Sequence, residues 1–247
     1  AIPEAVFVLL PQELGVIAAD AADVVGQFLA DADALLLGPG FGLEDTTREF
    51  LEKMITGRSK RLSRGAIGFV ASGDAKKQAG GTQLPPLIVD ADGLKLLARI
   101  PDWWKLLPKG TIITPHPGEM STLAGVPVSE IQSDRIAAAR HWSAQWGTVI
   151  ILKGAFTIVA SPDGRASVIP VASPILATAG SGDVLAGAVA GLRAQGVDPY
   201  EAAYAGAWLH AKAGELAGWQ AGIAAGILAG EIADLLPQLL PPDGSMR

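Results

Sequence analysis

Short apolar runs recur along the chain, at Ala5–Leu10, Ala34–Leu37, Ala66–Val70, Leu87–Val89, Thr111–Thr114 and Val149–Leu152, mostly separated by segments with helical spacing. This alternation predicts a largely parallel sheet. Leu35-Leu36-Leu37-Gly38 and Val149-Ile150-Ile151-Leu152 are apolar at every position rather than every second one, as expected of strands covered by helices on both faces. The layers should therefore run helix, sheet, helix. After Lys153 the pattern changes: Phe156–Ser161, the turn Pro162-Asp163-Gly164 and Ala166–Val171 predict a hairpin that adds an antiparallel edge. Helices are predicted at Glu44–Ile55, Gly93–Ala98, Ser129–Trp146, Asp183–Ala194, Pro199–Ala217 and Ile223–Leu236, with caps at Ser129 followed by Glu130 and at Asp198 before Pro199. Neither an internal repeat nor a low-complexity linker interrupts the pattern. Ser72–Pro86 is expected to be a mobile loop, and residues 1–247 a single domain.

Composition narrows the function classes. Glycine supplies 30 of the 247 residues, about 12% against a usual value of roughly 7%, which in a non-repetitive chain points to tight turns and close approaches of backbone to a ligand. With 19 basic and 25 acidic residues the formal net charge is −6, and no Lys/Arg block could track a phosphate backbone, so nucleic acid is not expected as a partner. The absence of cysteine excludes a disulfide scaffold, a thiolate metal site and a Cys nucleophile, and makes a cytoplasmic location the default. Ala221–Leu240, the most apolar late stretch, is broken by Glu231, Asp234 and Pro237 and falls short of the ~20 apolar residues that span a bilayer. A membrane partner is not expected. The chain opens Ala-Ile-Pro-Glu with no basic and apolar leader, so the start is read as truncated or processed rather than as a signal peptide.

Ala179-Gly180-Ser181-Gly182-Asp183 leads directly into a helix rich in small residues. Main-chain N–H groups of 180–183 lack intrahelical acceptors there and lie at the positive end of the helix dipole, which makes a concave site for phosphate. A carboxylate beside such a site repels its ligand unless it takes a proton from a hydroxyl that attacks phosphorus, so Asp183 is the candidate general base. The plainer alternative is an acid favoured in a first helical turn by ~0.3–1 kcal/mol. Lys153-Gly154-Ala155-Phe156-Thr157 sits where a buried strand ends, as ligand sites do in α/β sheets. Lys153 would neutralise nucleotide phosphate and Thr157 donate a hydrogen bond, or the lysine is simply solvated at a turn.

Thr114-Pro115-His116-Pro117-Gly118-Glu119 is a rigid loop after another strand. His116 is either a substrate contact or a structural hydrogen-bonding group; Glu119 either positions a hydrated Mg²⁺ or sits in the first turn of the helix beginning near Gly118. Leu37-Gly38-Pro39-Gly40-Phe41-Gly42 lets a flat group approach the main chain or forms a plain turn. Asp90-Ala91-Asp92 serves the sheet end, a metal or a helix cap. His141 and His210 are assigned to a helix surface or the core. The three histidines have no zinc-ligand spacing, and neither a P-loop nor a dinucleotide fingerprint occurs.

In order and spacing these strings resemble the ADP/ATP-dependent NAD(P)H-hydrate dehydratases of the ribokinase-like superfamily, from about residue 5 to about residue 236. The resemblance implies a three-layer α/β/α ribokinase-like fold and a repair reaction. In it, the S epimer of hydrated NADH or NADPH is phosphorylated on its ring hydroxyl by ADP or ATP, with Mg²⁺, and then loses phosphate. By resemblance, Asp183 deprotonates the hydroxyl and Ala179, Gly180, Ser181 and Gly182 form the anion hole. Lys153, Gly154, Ala155, Phe156, Thr157 and Gly182 bind the adenine nucleotide; Gly40, Gly42, His116 and Asp183 contact the hydrated dinucleotide; Glu119 serves the metal indirectly. The resemblance further implies a homo-oligomer, a tetramer in the family, and a separate epimerase, because no epimerase region precedes this one. The chain departs from the family's usual pattern in starting after an N-terminal Gly/Ala-rich segment, in Gly93-Leu94-Lys95 after Asp-Ala-Asp, and in Ala at 179. Two rivals are a kinase of the same fold acting on a vitamin-precursor alcohol and a nucleotide-binding protein without catalysis.

Overall fold

The computed structural model describes residues 4–57 and 84–240. Strands β3 (Leu35–Leu37), β4 (Leu87–Val89), β5 (Ile112–Ile113) and β6 (Val149–Leu152) are parallel neighbours, and β7 (Ile158–Ala160) and β8 (Ala166–Val168) continue the sheet antiparallel in the order β3-β4-β5-β6-β7-β8. Adjacent strand residues enter opposite cores. Leu37, Val89, Ile113 and Ile150 pack with Phe50, Met54, Leu94, Trp103 and Trp146, whereas Ile88, Ile112, Val149 and Ile151 pack with Leu185, Val189, Ala203 and Ala207. All eight of these strand residues are buried, which is why the strands carry no polar alternation. Helices α2 (Asp45–Thr56), α3 (Asp92–Leu97), α4 (Pro117–Ala124), α5 (Val128–Ser133) and α6 (Arg135–Trp146) contribute to the first core; α7 (Ser181–Ala194) and α8 (Pro199–Ala221) cover the other face. The close approach of α7 and α8 depends on Gly206, where a Cβ would stand 2.6 Å from Val189 Cγ2.

Asp198 caps α8 ahead of Pro199 by accepting from Tyr200 N–H at 3.0 Å. The long helix expected over Ser129–Trp146 is two helices. Asp134 turns out of the helical region (φ −150°, ψ 90°) and accepts from Ala137 N–H at 2.9 Å, so the carboxylate that ends α5 caps α6, while Ser129 lies inside α5 and caps nothing. The last helix, α9 (Ala229–Leu235), begins later than Ile223 because Gly222 and Gly226 hold positive φ. The run Ala5–Leu10 forms no strand. Val6, Phe7 and Leu9 are 80–95% exposed with no ladder partner among the described residues, and the chain folds instead into a small hairpin of β1 (Gln12–Glu13) and β2 (Val16–Ile17) before α1 (Ala21–Val25). The strand expected at Ala66–Val70 and most of the Ser72–Pro86 loop lie outside the described residues.

Candidate active site

The parallel register brings the carboxyl ends of β3, β4 and β5 level, since Leu37 pairs with Val89 and Val89 with Ile113, while β6, whose Ile150 pairs with Ile113, runs on to Leu152. The loops that follow must meet. Gly38 touches the β4–α3 turn so closely that a Cβ there would stand 1.9 Å from the Asp90 carbonyl oxygen, and Gly38 also holds φ +121°. Ala91 adopts φ +51°, ψ −124°, a conformation that costs an L-residue on the order of 1–3 kcal/mol. That kink separates the two acids of the turn. Asp92 accepts from Gly42 N–H at 3.1 Å and pairs with Lys95, whereas Asp90 points into the interior, 1% exposed. There Asp90 Oδ1 accepts from Thr114 Oγ1 at 2.5 Å and from Lys153 Nζ at 2.8 Å.

Lys153 is also 3.7 Å from Glu119 Oε2. Glu119 is buried because it closes a capping box: its Oε2 accepts from His116 N–H at 2.9 Å, while His116 Nδ1 accepts from the N–H groups of Gly118 and Glu119. Nδ1 as acceptor leaves Nε2 to carry the imidazole proton, 3.4 Å from Glu119 Oε1. The structural accounts of His116 and Glu119 thus hold, and the same geometry fixes a carboxylate beside Lys153. The turn after Lys153 is strained, with Gly154 at φ +144° and Phe156 at φ +54°. Arg135, the first residue of α6, clamps it by donating to the carbonyls of Leu152 (3.1 Å), Lys153 (3.3 Å) and Ala155 (2.6 Å). Partial burial lowers the Arg135 pKa from its usual value.

The start of α7 faces this group. A Cβ at Gly182 would lie 3.5 Å from Lys153 Nζ and 3.9 Å from Asp90 Oδ2. Ser181 N–H donates to the Thr178 carbonyl at 3.2 Å, so it is turned back into its own loop; the N–H groups of Gly180, Gly182 and Asp183 have no acceptor among the described residues. They are the donors left for an anion. A cavity of about 460 Å³ opens from here, with Lys153, Gly154, Ala155, Thr157, Ser181, Gly182 and His210 as its polar and main-chain side and Ile169, Val171, Leu176, Leu185 and Ala207 as its apolar wall. Burial, with a smaller effect of nearby Lys153, lowers the His210 pKa to about 4, so the ring is neutral near pH 7.

Of the residues singled out in the sequence, Lys153, Gly154, Ala155, Thr157, Ser181 and Gly182 line one cavity. Asp183 is exposed in the next position of α7, and His116, Glu119 and Gly42 join the same end of the sheet through Lys153 and Asp92. Phe156, Ala179, Gly180 and Gly40 are exposed and do not line the cavity. Asp90, Thr114, Arg135 and His210 complete the arrangement; the sequence offers Asp90 for the sheet end, a metal or a helix cap, and gives Thr114, Arg135 and His210 no role at the site. Asp90 and Thr114 had a signal, each being the polar residue that ends a buried parallel strand. Among the described residues no helix is long and apolar enough to cross a membrane, and no group of three or more His, Asp or Glu side chains is placed to hold a metal.

The fold and the sequence have counterparts. A Bacillus subtilis ADP/ATP-dependent NAD(P)H-hydrate dehydratase, co-crystallized with ATP/Mg²⁺ and soaked with CoA, superposes with a TM-score of 0.64 at 31% identity, covering 86% of this chain and 69% of that one. The ADP-dependent (S)-NAD(P)H-hydrate dehydratase of Neisseria meningitidis is 49% identical over 133 residues, 53% of this chain and 45% of the relative. The bifunctional NAD(P)H-hydrate repair enzyme Nnr of Moorella thermoacetica is 36% identical over 201 residues, 81% of this chain and 33% of the relative. The chain therefore spans a third to a half of the length of these two curated relatives. The family model for NAD(P)H-hydrate dehydratase matches residues 4–238, and the chain belongs to that family.

Proposed function

We propose that the chain dehydrates the S epimer of hydrated NADH or NADPH at the expense of ADP, returning the reduced dinucleotide, AMP and phosphate. One observation carries this most directly: Lys153, held by the buried Asp90, stands beside Gly182 at the start of α7 and at the mouth of an apolar-walled cavity suited to a purine. ADP is preferred over ATP because the relative that is 49% identical over 133 residues is named ADP-dependent.

In this account the nucleotide base enters the cavity and its phosphates meet Lys153 and the free N–H groups of Gly180, Gly182 and Asp183. The Asp183 carboxylate takes the proton of the ring hydroxyl, whose oxygen attacks the terminal phosphorus as AMP leaves. Hydroxide is a poor leaving group and phosphate a good one, so the ring nitrogen's lone pair then expels phosphate. Loss of a proton from the adjacent ring carbon restores the dihydropyridine. Placing anion donors where charge develops, instead of on the ground state, is what lowers the barrier. Gly40, Gly42 and His116 would face the hydrated ring, with Ala179 and Ser181 shaping the turn and Phe156 the rim.

Mg²⁺ fits as an ion that arrives with the nucleotide, because the nearby carboxylates of Asp90 and Glu119 are already engaged with Lys153, Thr114 and His116. These two would meet it through water, and when bound it would neutralise phosphate charge. By resemblance alone the proposal extends to a cytoplasmic homotetramer, with residues 1–247 forming one domain.

The test is incubation with hydrated NADH and ADP. Near-ultraviolet absorbance of the reduced nicotinamide should return with equal amounts of AMP and phosphate, leaving the R epimer behind. No recovery, together with phosphorylation of a vitamin-precursor alcohol, would make the chain a small-molecule kinase.

A further inference from the structure

His210 is a buried titratable residue that the proposed chemistry does not use. It belongs to α8, yet its Nε2 lies 2.8 Å from Ser181 Oγ, on the first residue of α7. Both side chains are buried, with Ser181 2% and His210 7% exposed, and both line the cavity. Ser181 is thereby held from two sides, its N–H bonded to the Thr178 carbonyl and its hydroxyl to His210. Between those bonds and the body of α7 stand Gly182 and Asp183, which carry the free N–H groups and the exposed carboxylate. Glycines at 180 and 182 give this turn little intrinsic stiffness. A buried hydroxyl that lost its imidazole partner would turn elsewhere for a hydrogen bond, since an unsatisfied buried polar group is costly. The nearest main chain to turn to is its own.

We propose that His210 is a positioning residue, which through Ser181 locks the first turn of α7 so that the N–H groups of Gly182 and Asp183 and the Asp183 carboxylate meet the transferred phosphoryl group in register. The proposal rests on the reading of the site given above. A displacement of about 1 Å at a reacting group lowers rates on the order of 10²-fold, so the effect falls on kcat. The apolar wall of Ile169, Val171, Leu176, Leu185 and Ala207 and the Lys153 ammonium do not depend on this bond, so most of the nucleotide affinity stays and the larger loss falls on the transferred phosphoryl group.

His210→Leu and Ser181→Ala are therefore each expected to lower kcat for hydrated NADH by on the order of 10²-fold, with the KM for ADP changed by less than about threefold. The double variant should be no slower than the slower single one, as for groups that act as a unit. His210→Gln, whose amide nitrogen reaches the place of Nε2, should recover most of the rate. Hydrogen–deuterium exchange supplies a readout independent of turnover: amides 182–184 should exchange at least about tenfold faster in His210→Leu, with β6 unchanged. A raised KM for ADP at unaltered kcat, or a lowered Tm with normal kcat and normal exchange at 182–184, would overturn the assignment. Should His210→Leu not fold, Ser181→Ala decides on the same two readouts. Absence of dehydratase turnover in the wild-type chain would sink the functional reading instead, and the exchange result would then judge the positioning claim alone.

Discussion

Asp183→Asn is expected to lower turnover of hydrated NADH by about 10²–10⁴-fold, the range for loss of a positioned general base. Calorimetric binding of ADP should persist or tighten slightly, because the substitution removes a negative charge beside the phosphates. Stability should scarcely move. Asp183 is exposed and makes no side-chain hydrogen bond or ion pair among the described residues, so the loss is confined to its interaction with the α7 dipole, roughly 0.3–1 kcal/mol. Separate kcat and Tm measurements distinguish this from an acid that merely favours a helix start, for which turnover would stay near normal.

The second large effect belongs to Asp90 and runs the opposite way, through stability. Asp90 is buried and Lys153 only 19% exposed, so Asp90→Ala strands a threonine hydroxyl and leaves the ammonium only the Glu119 carboxylate, 3.7 Å away and already bonded to His116 N–H. Breaking a buried pair from one side costs about 3–5 kcal/mol, which in a chain of this size lowers Tm by roughly 6–20 °C. Adding Lys153→Met should restore much of that stability, because the orphaned charge goes with it. It should not restore turnover, since the ammonium proposed to meet the nucleotide is absent. Thermal unfolding of the single and double variants checks the first claim; if Asp90→Ala unfolds at the wild-type temperature, the 2.8 Å pair is not the anchor described here.

The two predictions differ because the acids sit differently in the chain, and the sequence made that difference only half visible. Asp183 announced itself as a charge among glycines at a helix start. Asp90 followed a strand that is apolar at all three positions, a place where the sheet must end and a polar side chain must find partners, yet which partners depended on register: Val89 beside Leu37 and Ile113. Local period therefore sufficed for the parallel strands, the hairpin and the Asp198 cap, but not for contacts between loops. Arg135 shows the limit plainly. Its acceptors are main-chain carbonyls 17 to 20 residues downstream, and a carbonyl has no signature in the sequence. It was further hidden by reading Ser129–Trp146 as one helix, when the break at Asp134 is what aims Arg135 at the turn after Lys153.

The sequence places His210 on a helix surface or in the core, and it is buried. Its spacing from Ala203, Ala207, Ala211 and Gly214, all buried on α8, marks a lone polar residue within a small-residue stripe. Such a residue needs a partner on the helix it packs against. The run Ala5–Leu10 misled for the converse reason: apolar and β-branched content favours a strand, but a strand also needs a neighbour, and none of the described strands pairs with it.

The central claim is chemical, that phosphorylation of the ring hydroxyl precedes its departure. Hydrated NADH carrying ¹⁸O in that hydroxyl, turned over with unlabelled ADP in unlabelled water, tests it. The oxygen that attacks phosphorus stays with it when the carbon–oxygen bond breaks, so the inorganic phosphate released should carry one ¹⁸O, read by mass spectrometry. Unlabelled phosphate, with the label recovered in water, would mean that the hydroxyl leaves without being phosphorylated and would contradict the mechanism.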